Sequence, residues 1–497
     1  MTMGLLIGLD AGTTGVTAIV YSKDLVPVRR AYREFPQHFP ASGWVEHEAH
    51  EIRAAVDHVL GEVLAGIDQP VAALGITNQR ETVFAVNRRT GKPYGAGIVW
   101  QDRRTSQRCQ ALRSEGVEPL VRARTGLVLD PYFSATKMQW LLENREGVRG
   151  AAQSGDLVFC TVDSLVLQML CSGERWYTEP TNACRTMLFD LDQRAWASKL
   201  TDLFEIPHDC LPEVRPSAGM FGMAQLPGGR NVPVMGMAGD QQAALFGQGC
   251  LAEGDFKITY GTGCFLVLNT GKVRVQPDGG LLTTLALDAQ GQTCYAVEGS
   301  IFVGGAVIQW LRDGLGILSS ASESESVARS VPDTGGVVLI PAFAGLGAPH
   351  WDPDARAALL GMTRGTQRAH IVRAALESIA WQCTDIVELL RDSTGYPVPH
   401  VRVDGGAVRN DLLMQMQADF AQAEIWRAQD IESTARGAAA LAGLAAGIWS
   451  PGPTESAPRD DADRFRPGVP PEALVARREA WLDGLRRVSS HAALPER

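Results

Sequence analysis

The 497-residue sequence has no basic run, and its formal net charge is −10. That argues against nucleic acid or an anionic membrane surface as the main partner, so a site for an anionic ligand has to be built locally. It has no C-x-x-C pair. Its nine cysteines stand singly, which excludes a disulfide framework and predicts buried thiols in a reducing compartment. Long apolar runs are missing too. The longest bland stretch, Gly437 to Trp449, is too short and too rich in Gly and Ala to span a bilayer and predicts a closely packed core helix. The run Leu5 to Leu9 is broken by Asp10 and follows no basic residues, which does not fit a signal peptide. Together these absences predict a cytoplasmic protein. Two common nucleotide signatures are also lacking: the phosphate-binding lysine loop, and a G-x-G-x-x-G between a strand and a helix.

What is present begins with Ile7 to Tyr21. Two β-type apolar runs flank Ala11-Gly12-Thr13-Thr14-Gly15, which predicts a β-hairpin. Its tip offers backbone N–H groups and hydroxyls of the kind a phosphate needs, with the Asp10 carboxylate beneath. By itself the stretch suits an ordinary turn as well. Leu25 to Phe35 supplies a third strand, and Ile52 to Leu64 a helix. His47-Glu48-Ala49-His50 lacks the spacing of a helical zinc motif and is expected to be the solvated start of that helix. Val71 to Ile76 is a strand ending in Thr77-Asn78-Gln79-Arg80-Glu81-Thr82. A turn at Thr90 to Pro93 delivers Ile98 to Arg104. The chain is then mainly helical until a strand at Met235 to Ala238, which ends in Gly239-Asp240-Gln241-Gln242 before a helix-like run, Ala243 to Gly247.

The pattern restarts at Asp255. Phe256 to Tyr260 and Cys264 to Leu268 are strands around Gly261-Thr262-Gly263. A Gly/Thr hairpin thus opens each half of the chain, a weak internal repeat in layout. Length favours two or more domains. Further on, the sequence predicts a helix over Ile301 to Leu311 and a polar exposed loop at Ser319 to Pro332. Ile371 to Leu390 has helical apolar spacing. A strand, Val401 to Val403, runs into Asp404-Gly405-Gly406, and a helix follows from Asn410 to Phe420. The Pro- and Asp-rich stretch Ser450 to Pro471 predicts a surface linker before a last amphipathic helix, Ala473 to Val488. Two Gly/Thr hairpins in duplicated halves plus a late Gly-Gly turn is the layout of the actin, sugar kinase and Hsp70 class of ATP-binding folds.

Longer blocks sharpen this. Gly75 to Thr82 (GITNQRET), Trp100 to Thr105 (WQDRRT), Thr125 to Ser134 (TGLVLDPYFS) and Ala238 to Gln248 (AGDQQAALFGQ) resemble the glycerol kinases of the FGGY carbohydrate kinase family. So do Tyr260 to Phe265 (YGTGCF), Gly345 to Pro353 (GLGAPHWDP) and Val403 to Asn410 (VDGGAVRN). The resemblance implies an α/β fold of two RNase-H-like (actin-like ATPase) domains with a central cleft, divided as 1–248 and 249–497. It implies transfer of phosphate from MgATP to glycerol, giving sn-glycerol 3-phosphate. Carried over by motif, Arg80 and Glu81 would hold two glycerol hydroxyls, with Tyr132, Asp240 and Gln241 completing the polar grip and Trp100 and Phe265 as apolar walls. Asp240 would be the general base and, with Asp10, would face the Mg²⁺. Thr13, Thr14 and Gly15 would meet the transferring phosphoryl group, Thr262 the β- and γ-phosphates, and Gly305, Gln309, Gly406 and Asn410 the nucleotide. A homo-oligomer, dimer or tetramer, is implied. The residue types suit the task, because a small polyol is recognised only through many simultaneous hydrogen bonds.

The chain departs from the family where its first loop reads D-A-G-T-T-G-V-T in place of D-Q-G-T-T-S-S-R. Gly15 and Thr17 thus lack a phosphate-contacting serine and a nearby arginine, which predicts a weakened KM for ATP, tightened again by Gly15→Ser with Thr17→Arg. Gln225 to Pro233 is shorter than the loop that binds fructose 1,6-bisphosphate in regulated relatives, so that feedback is not expected. Pro467 to Ala473 shows no recognisable docking site for a sugar-transport regulator. Two alternatives stay open at this point: another FGGY kinase acting on a different short polyol or ketose, and a non-catalytic actin-like ATP-binding protein.

Overall fold

A computed structural model of the chain describes residues 4–171, 173, 175–450 and 463–490. The described residues pack as two compact units, one of residues 4–252, 283–296 and 433–450, the other of 253–282, 297–432 and 463–490.

In the first unit β1 (Leu5–Ala11) and β2 (Gly15–Tyr21) form the expected hairpin, and β3 (Pro27–Glu34) extends it at the edge. After α1 (Ala49–Leu64), β4 (Val71–Asn78) lies parallel to β1. β5 (Ala218–Leu226) and β6 (Arg230–Gly239) pair antiparallel, and β6 runs parallel to β4. The sheet order is β5-β6-β4-β1-β2-β3, an antiparallel meander continued by parallel strands, as in the RNase-H-like fold. β1 and β2 are buried along nearly their whole length, which explains their mostly apolar sequence. Gln225 to Pro233 is a tight hairpin in which Leu226 faces Arg230, and the turn residues Gly228 and Gly229 take φ of +79° and +71°, a left-handed backbone that favours glycine.

One face of this sheet packs on α1 and on the helix Val162–Cys171. The other packs on α2 (Asp240–Gly247) and on the helix Ser433–Ala445. Gly8, Gly75 and Gly236 stand side by side across β1, β4 and β6. A Cβ on Gly8 would lie 2.0 Å from the Ala435 carbonyl oxygen, and one on Gly75 1.9 Å from that of Ala438. The glycine row is therefore a groove for the Gly- and Ala-rich helix, as its composition predicts. Seating that helix brings Thr434 to Asp10, where its hydroxyl donates to Asp10 Oδ2 at 2.6 Å.

A second sheet repeats the plan. β7 (Phe256–Tyr260) and β8 (Cys264–Gly271) form a hairpin. β9 (Leu282–Leu287) and β10 (Thr293–Ile301) precede α3 (Ala306–Asp313) and the long helix α4 (Arg368–Thr394). β11 (His400–Asp404) lies parallel to β7; α5 (Asp411–Ala421) leads to β12 (Glu424–Arg427), and β13 (Arg464–Phe465) closes the edge. The order is β9-β10-β8-β7-β11-β12-β13.

Three expectations change. Ile301 ends a strand, and the helix starts only at Ala306, after the Gly304-Gly305 turn. The polar stretch from Ser319 contains a helix, Glu323–Arg329, which buries Ser324 and Ala328; two buried residues in seven give too little apolar pattern to read. Of the proposed linker, residues 451–462 lie outside the described residues, but Arg464 and Phe465 pair with Trp426 and Ile425. The last helix is Val475–Val488. Among the described residues no helix is long and apolar enough to cross a membrane.

Candidate active site

In the first unit the strand register assembles the site. Asp10 on β1 faces Thr77 on β4, and Gly239 at the end of β6 faces Asn78. Asp10 and Asp240 thus stand at the carboxyl ends of parallel strands on either side of β4, two strand spacings or about 10 Å apart along the sheet. Ligands of open α/β sheets bind at such an edge. Asp240 is the first residue of α2, and its Oδ1 accepts from the Gln241 N–H at 2.7 Å.

Between β1 and β2, Thr13 and Thr14 form the tip of the loop. The Trp100 indole N–H donates to Thr13 Oγ1 at 2.9 Å, so the expected acceptor wall also orients a hydroxyl of the expected phosphate loop. Gly15 is the first residue of β2. A Cβ there would lie 2.7 Å from the Arg33 carbonyl oxygen and 2.8 Å from the Tyr32 hydroxyl. Thr17 is buried, between Asp10 and Tyr32 in the same cross-strand row.

Arg80 and Glu81 are both buried, just beyond β4. Glu81 has a φ of +62°, unfavourable for a residue with a side chain, and two neighbours hold it. Ser134 donates its hydroxyl to the Glu81 carbonyl at 2.8 Å. Arg185 Nε donates to Glu81 Oε1 at 2.6 Å, and the Arg185 guanidinium lies 5.6 Å from the centre of the Tyr132 ring. Arg80 Nε is 3.2 Å from Asp240 Oδ1, and its Nη1 donates to Gln242 Oε1 at 3.2 Å. The Asp240 side chain is 26% exposed whereas Arg80 keeps 2%, so the carboxylate is the part open to a ligand. Tyr132 meets Trp100 edge to face, with ring centres 5.6 Å apart. Beneath them the wholly buried Lys137 donates to the Tyr132 carbonyl at 2.8 Å, and burial lowers its pKa to about 8.

The structure thus brings Asp10, Thr13, Thr14, Gly15, Arg80, Glu81, Trp100, Tyr132, Asp240 and Gln241 to one edge of one unit. Sequence reasoning missed Arg185, Gln242 and Lys137. Arg185 and Glu81 are 104 positions apart, and Gln242 and Arg80 162, so no local pattern links them.

The second unit holds Thr262, Phe265, Gly305, Gln309, Gly406 and Asn410. The Thr262 carbonyl accepts from the N–H groups of Gly304 at 2.8 Å and Ala306 at 3.1 Å. Gly305 needs its hydrogen, because a Cβ would lie 2.8 Å from the Gly261 carbonyl oxygen. Among the described residues, nothing beyond its chain neighbours comes within 4 Å of a Cβ position at Gly406. Gly405, at φ +92° and with a Cβ position 2.5 Å from the Tyr260 carbonyl oxygen, is required as glycine by the fold itself. Asn410 caps α5, its Oδ1 accepting from Leu413 N–H at 2.9 Å, and its Nδ2 donates to Ser324 Oγ at 3.3 Å. Gln309 is exposed on α3, and Phe265 lies at the start of β8.

Residues 5–247 match the N-terminal domain of the FGGY family of carbohydrate kinases, and residues 256–446 match its C-terminal domain. A glycerol kinase of Shewanella frigidimarina is 54% identical over 89% of this chain and 90% of its own length. One of Shewanella oneidensis is 49% identical over 98% and 99%. The crystal structure of Plasmodium falciparum glycerol kinase with ADP superposes with a TM-score of 0.86 at 32% identity, covering 98% of each chain. Both family domains in their order, and relatives about half identical over nearly their whole length, lead to one assignment: the chain belongs to the glycerol kinases of the FGGY carbohydrate kinase family.

Proposed function

We infer that the protein transfers the γ-phosphoryl group of ATP to glycerol. The observation that carries this reading is the Arg80–Asp240 pair beside Glu81, on the strand edge that also bears the Gly12–Gly15 loop. In this reading Arg80 and Glu81 grip two hydroxyls, Tyr132 and Gln241 add polar contacts, and Trp100 and Phe265 exclude water and limit the length of the acceptor. Asp240 accepts the proton of the terminal hydroxyl as it attacks phosphorus in line, giving sn-glycerol 3-phosphate. Thr13, Thr14 and the Gly15 N–H meet the phosphoryl group. Thr262 contacts the β- and γ-phosphates, and Gly305, Gln309, Gly406 and Asn410 border the nucleotide. Residues 1–248 thus carry most of the acceptor site and the first phosphate loop, and residues 249–497 most of the nucleotide contacts.

The residues present fit a magnesium ion. Among the described residues no group of three His, Cys, Asp or Glu side chains could hold a metal by itself. Mg²⁺ in phosphoryl-transfer sites needs only one or two carboxylates besides water and phosphate oxygens, and Asp10 and Asp240 offer those. A bound Mg²⁺ would neutralise charge on the phosphate oxygens. Asp10, oriented by Thr434, and Asp240 would hold it. All nine cysteines are free thiols and eight are buried, which supports a reducing, cytoplasmic setting. A homo-oligomer is the expected assembly.

The test is steady-state kinetics on glycerol, dihydroxyacetone, erythritol and xylulose for the wild type and Asp240→Asn. Glycerol should have the highest kcat/KM, and Asp240→Asn should lower kcat by about 10²–10⁴-fold. Preference for another acceptor would move the protein to a different FGGY substrate. No polyol turnover, with ATP hydrolysis indifferent to Asp240→Asn, would make it a non-catalytic ATP-binding protein.

A further inference from the structure

His47, expected at the solvated start of a helix, is fully buried. Its Nε2 lies 2.6 Å from Gln37 Oε1, and its Nδ1 lies 3.3 Å from Gln79 Nε2. An amide oxygen only accepts and an amide nitrogen only donates. The ring is therefore neutral, with its proton on Nε2. Burial, followed by the nearby His38, lowers its pKa to about 3, in keeping with that state. Both amides also reach the loop, Gln37 through its far end and Gln79 through the same nitrogen that faces the imidazole. Gln37 Nε2 donates to the Thr13 carbonyl at 2.8 Å, and Gln79 Nε2 donates to the Gly12 carbonyl at 3.0 Å. Phe35, packed edge to face on the imidazole with ring centres 5.0 Å apart, donates its backbone N–H to the Thr14 carbonyl at 3.3 Å.

Three consecutive loop carbonyls are thus held from one side. In a trans peptide the N–H of the next residue points opposite to the C=O, so holding Gly12 and Thr13 by their oxygens turns the Thr13 and Thr14 N–H groups the other way. Gln79 also ties the loop to the acceptor segment. Its Oε1 accepts from the Thr82 hydroxyl at 2.8 Å, and that hydroxyl accepts from Trp100 N–H at 3.2 Å.

We propose that Gln37, His47 and Gln79 form a positioning chain for the Gly12–Gly15 loop, in which the neutral imidazole sets the direction of both amides and the amides aim the loop N–H groups at the phosphates of a nucleoside triphosphate. None of the three touches the reacting atoms. The proposal rests on the reading of this loop as a phosphate site.

Two measurements test it. In ¹⁵N-histidine-labelled wild type, the His47 ring nitrogens should show the neutral Nε2–H tautomer at pH 7 and still at about pH 5; an imidazolium or an Nδ1–H tautomer overturns the proposal. In variants, His47→Leu removes the hydrogen bonds while keeping bulk, and His47→Gln retains a donor and an acceptor. Gln37→Leu cuts one arm at a half-buried position, should His47→Leu fail to fold. His47→Leu and Gln37→Leu should lower kcat/KM for ATP and calorimetric MgATP affinity by about ten- to a hundredfold, one to two hydrogen bonds' worth. Glycerol KM should stay within about twofold, and His47→Gln should recover most of the loss. Equal losses toward both substrates, or none toward ATP, would overturn it. If wild type phosphorylates no polyol, the proposed activity fails, while the tautomer and the MgATP titration still decide this proposal.

Discussion

Gly15 and Thr17 give the most demanding prediction, because sequence and structure point in opposite directions. From sequence, Gly15→Ser with Thr17→Arg restores contacts to phosphate worth about 1–3 kcal/mol and tightens ATP binding. In the structure the serine Cβ would sit 2.7 Å from the Arg33 carbonyl oxygen and 2.8 Å from the Tyr32 hydroxyl. Real contacts are longer, and a backbone oxygen within a sheet cannot rotate away. Thr17 is buried and pairs with Tyr32 across the β2–β3 ladder, so an arginine there has to displace that ring. Overpacking of this kind costs about 1–3 kcal/mol, enough to cancel the gain. The double variant should therefore be less stable by about that amount, lowering Tm by several degrees at roughly 2–4 °C per kcal/mol. Its KM for ATP should not improve. Scanning fluorimetry and steady-state kinetics at saturating glycerol read both quantities. A tenfold lower KM for ATP with an unchanged Tm would refute the steric argument.

The other predictions concern packing and charge. Arg185→Met strands the buried Glu81 carboxylate and should destabilise the protein by about 3–5 kcal/mol; adding Glu81→Gln should restore stability but not glycerol KM, and full recovery of KM would remove Arg185–Glu81 from the acceptor site. Gly437→Ala should destabilise by about 1–3 kcal/mol, although helix propensity alone favours alanine by about 1 kcal/mol, because its Cβ would fall 1.8 Å from the Ala243 carbonyl oxygen; a raised Tm would contradict the close packing. His47 makes stability acid-sensitive. Its pKa falls from 6.5 to about 3 on folding, so below pH 6.5 the unfolded chain binds the extra proton. Stability present at neutral pH is lost as pH falls, by about 2 kcal/mol between pH 6.5 and 5. Denaturant titrations of wild type and His47→Gln should differ by that increment, and parallel pH profiles would refute it.

The local elements were open to sequence reasoning because their signals are local. Alternating and continuous apolar runs bounded by Gly and Thr mark both hairpins, and the glycines and alanines of Gly437 to Trp449 announced a helix packed backbone to backbone. Resemblance added residue roles at positions within short motifs. What only the tertiary structure decided is how distant residues combine. Strand register set Asp10 and Asp240 on either side of β4, and the glycine groove set Thr434 on Asp10. Long-range pairing made Arg185 the partner of Glu81. It also turned His47 from an apparent surface residue into a buried link between two amides, and made Gly405 a glycine the fold needs. The reason is physical: propensity and periodicity act over a turn or a strand, whereas burial, hydrogen-bond partners and steric room depend on which segments meet.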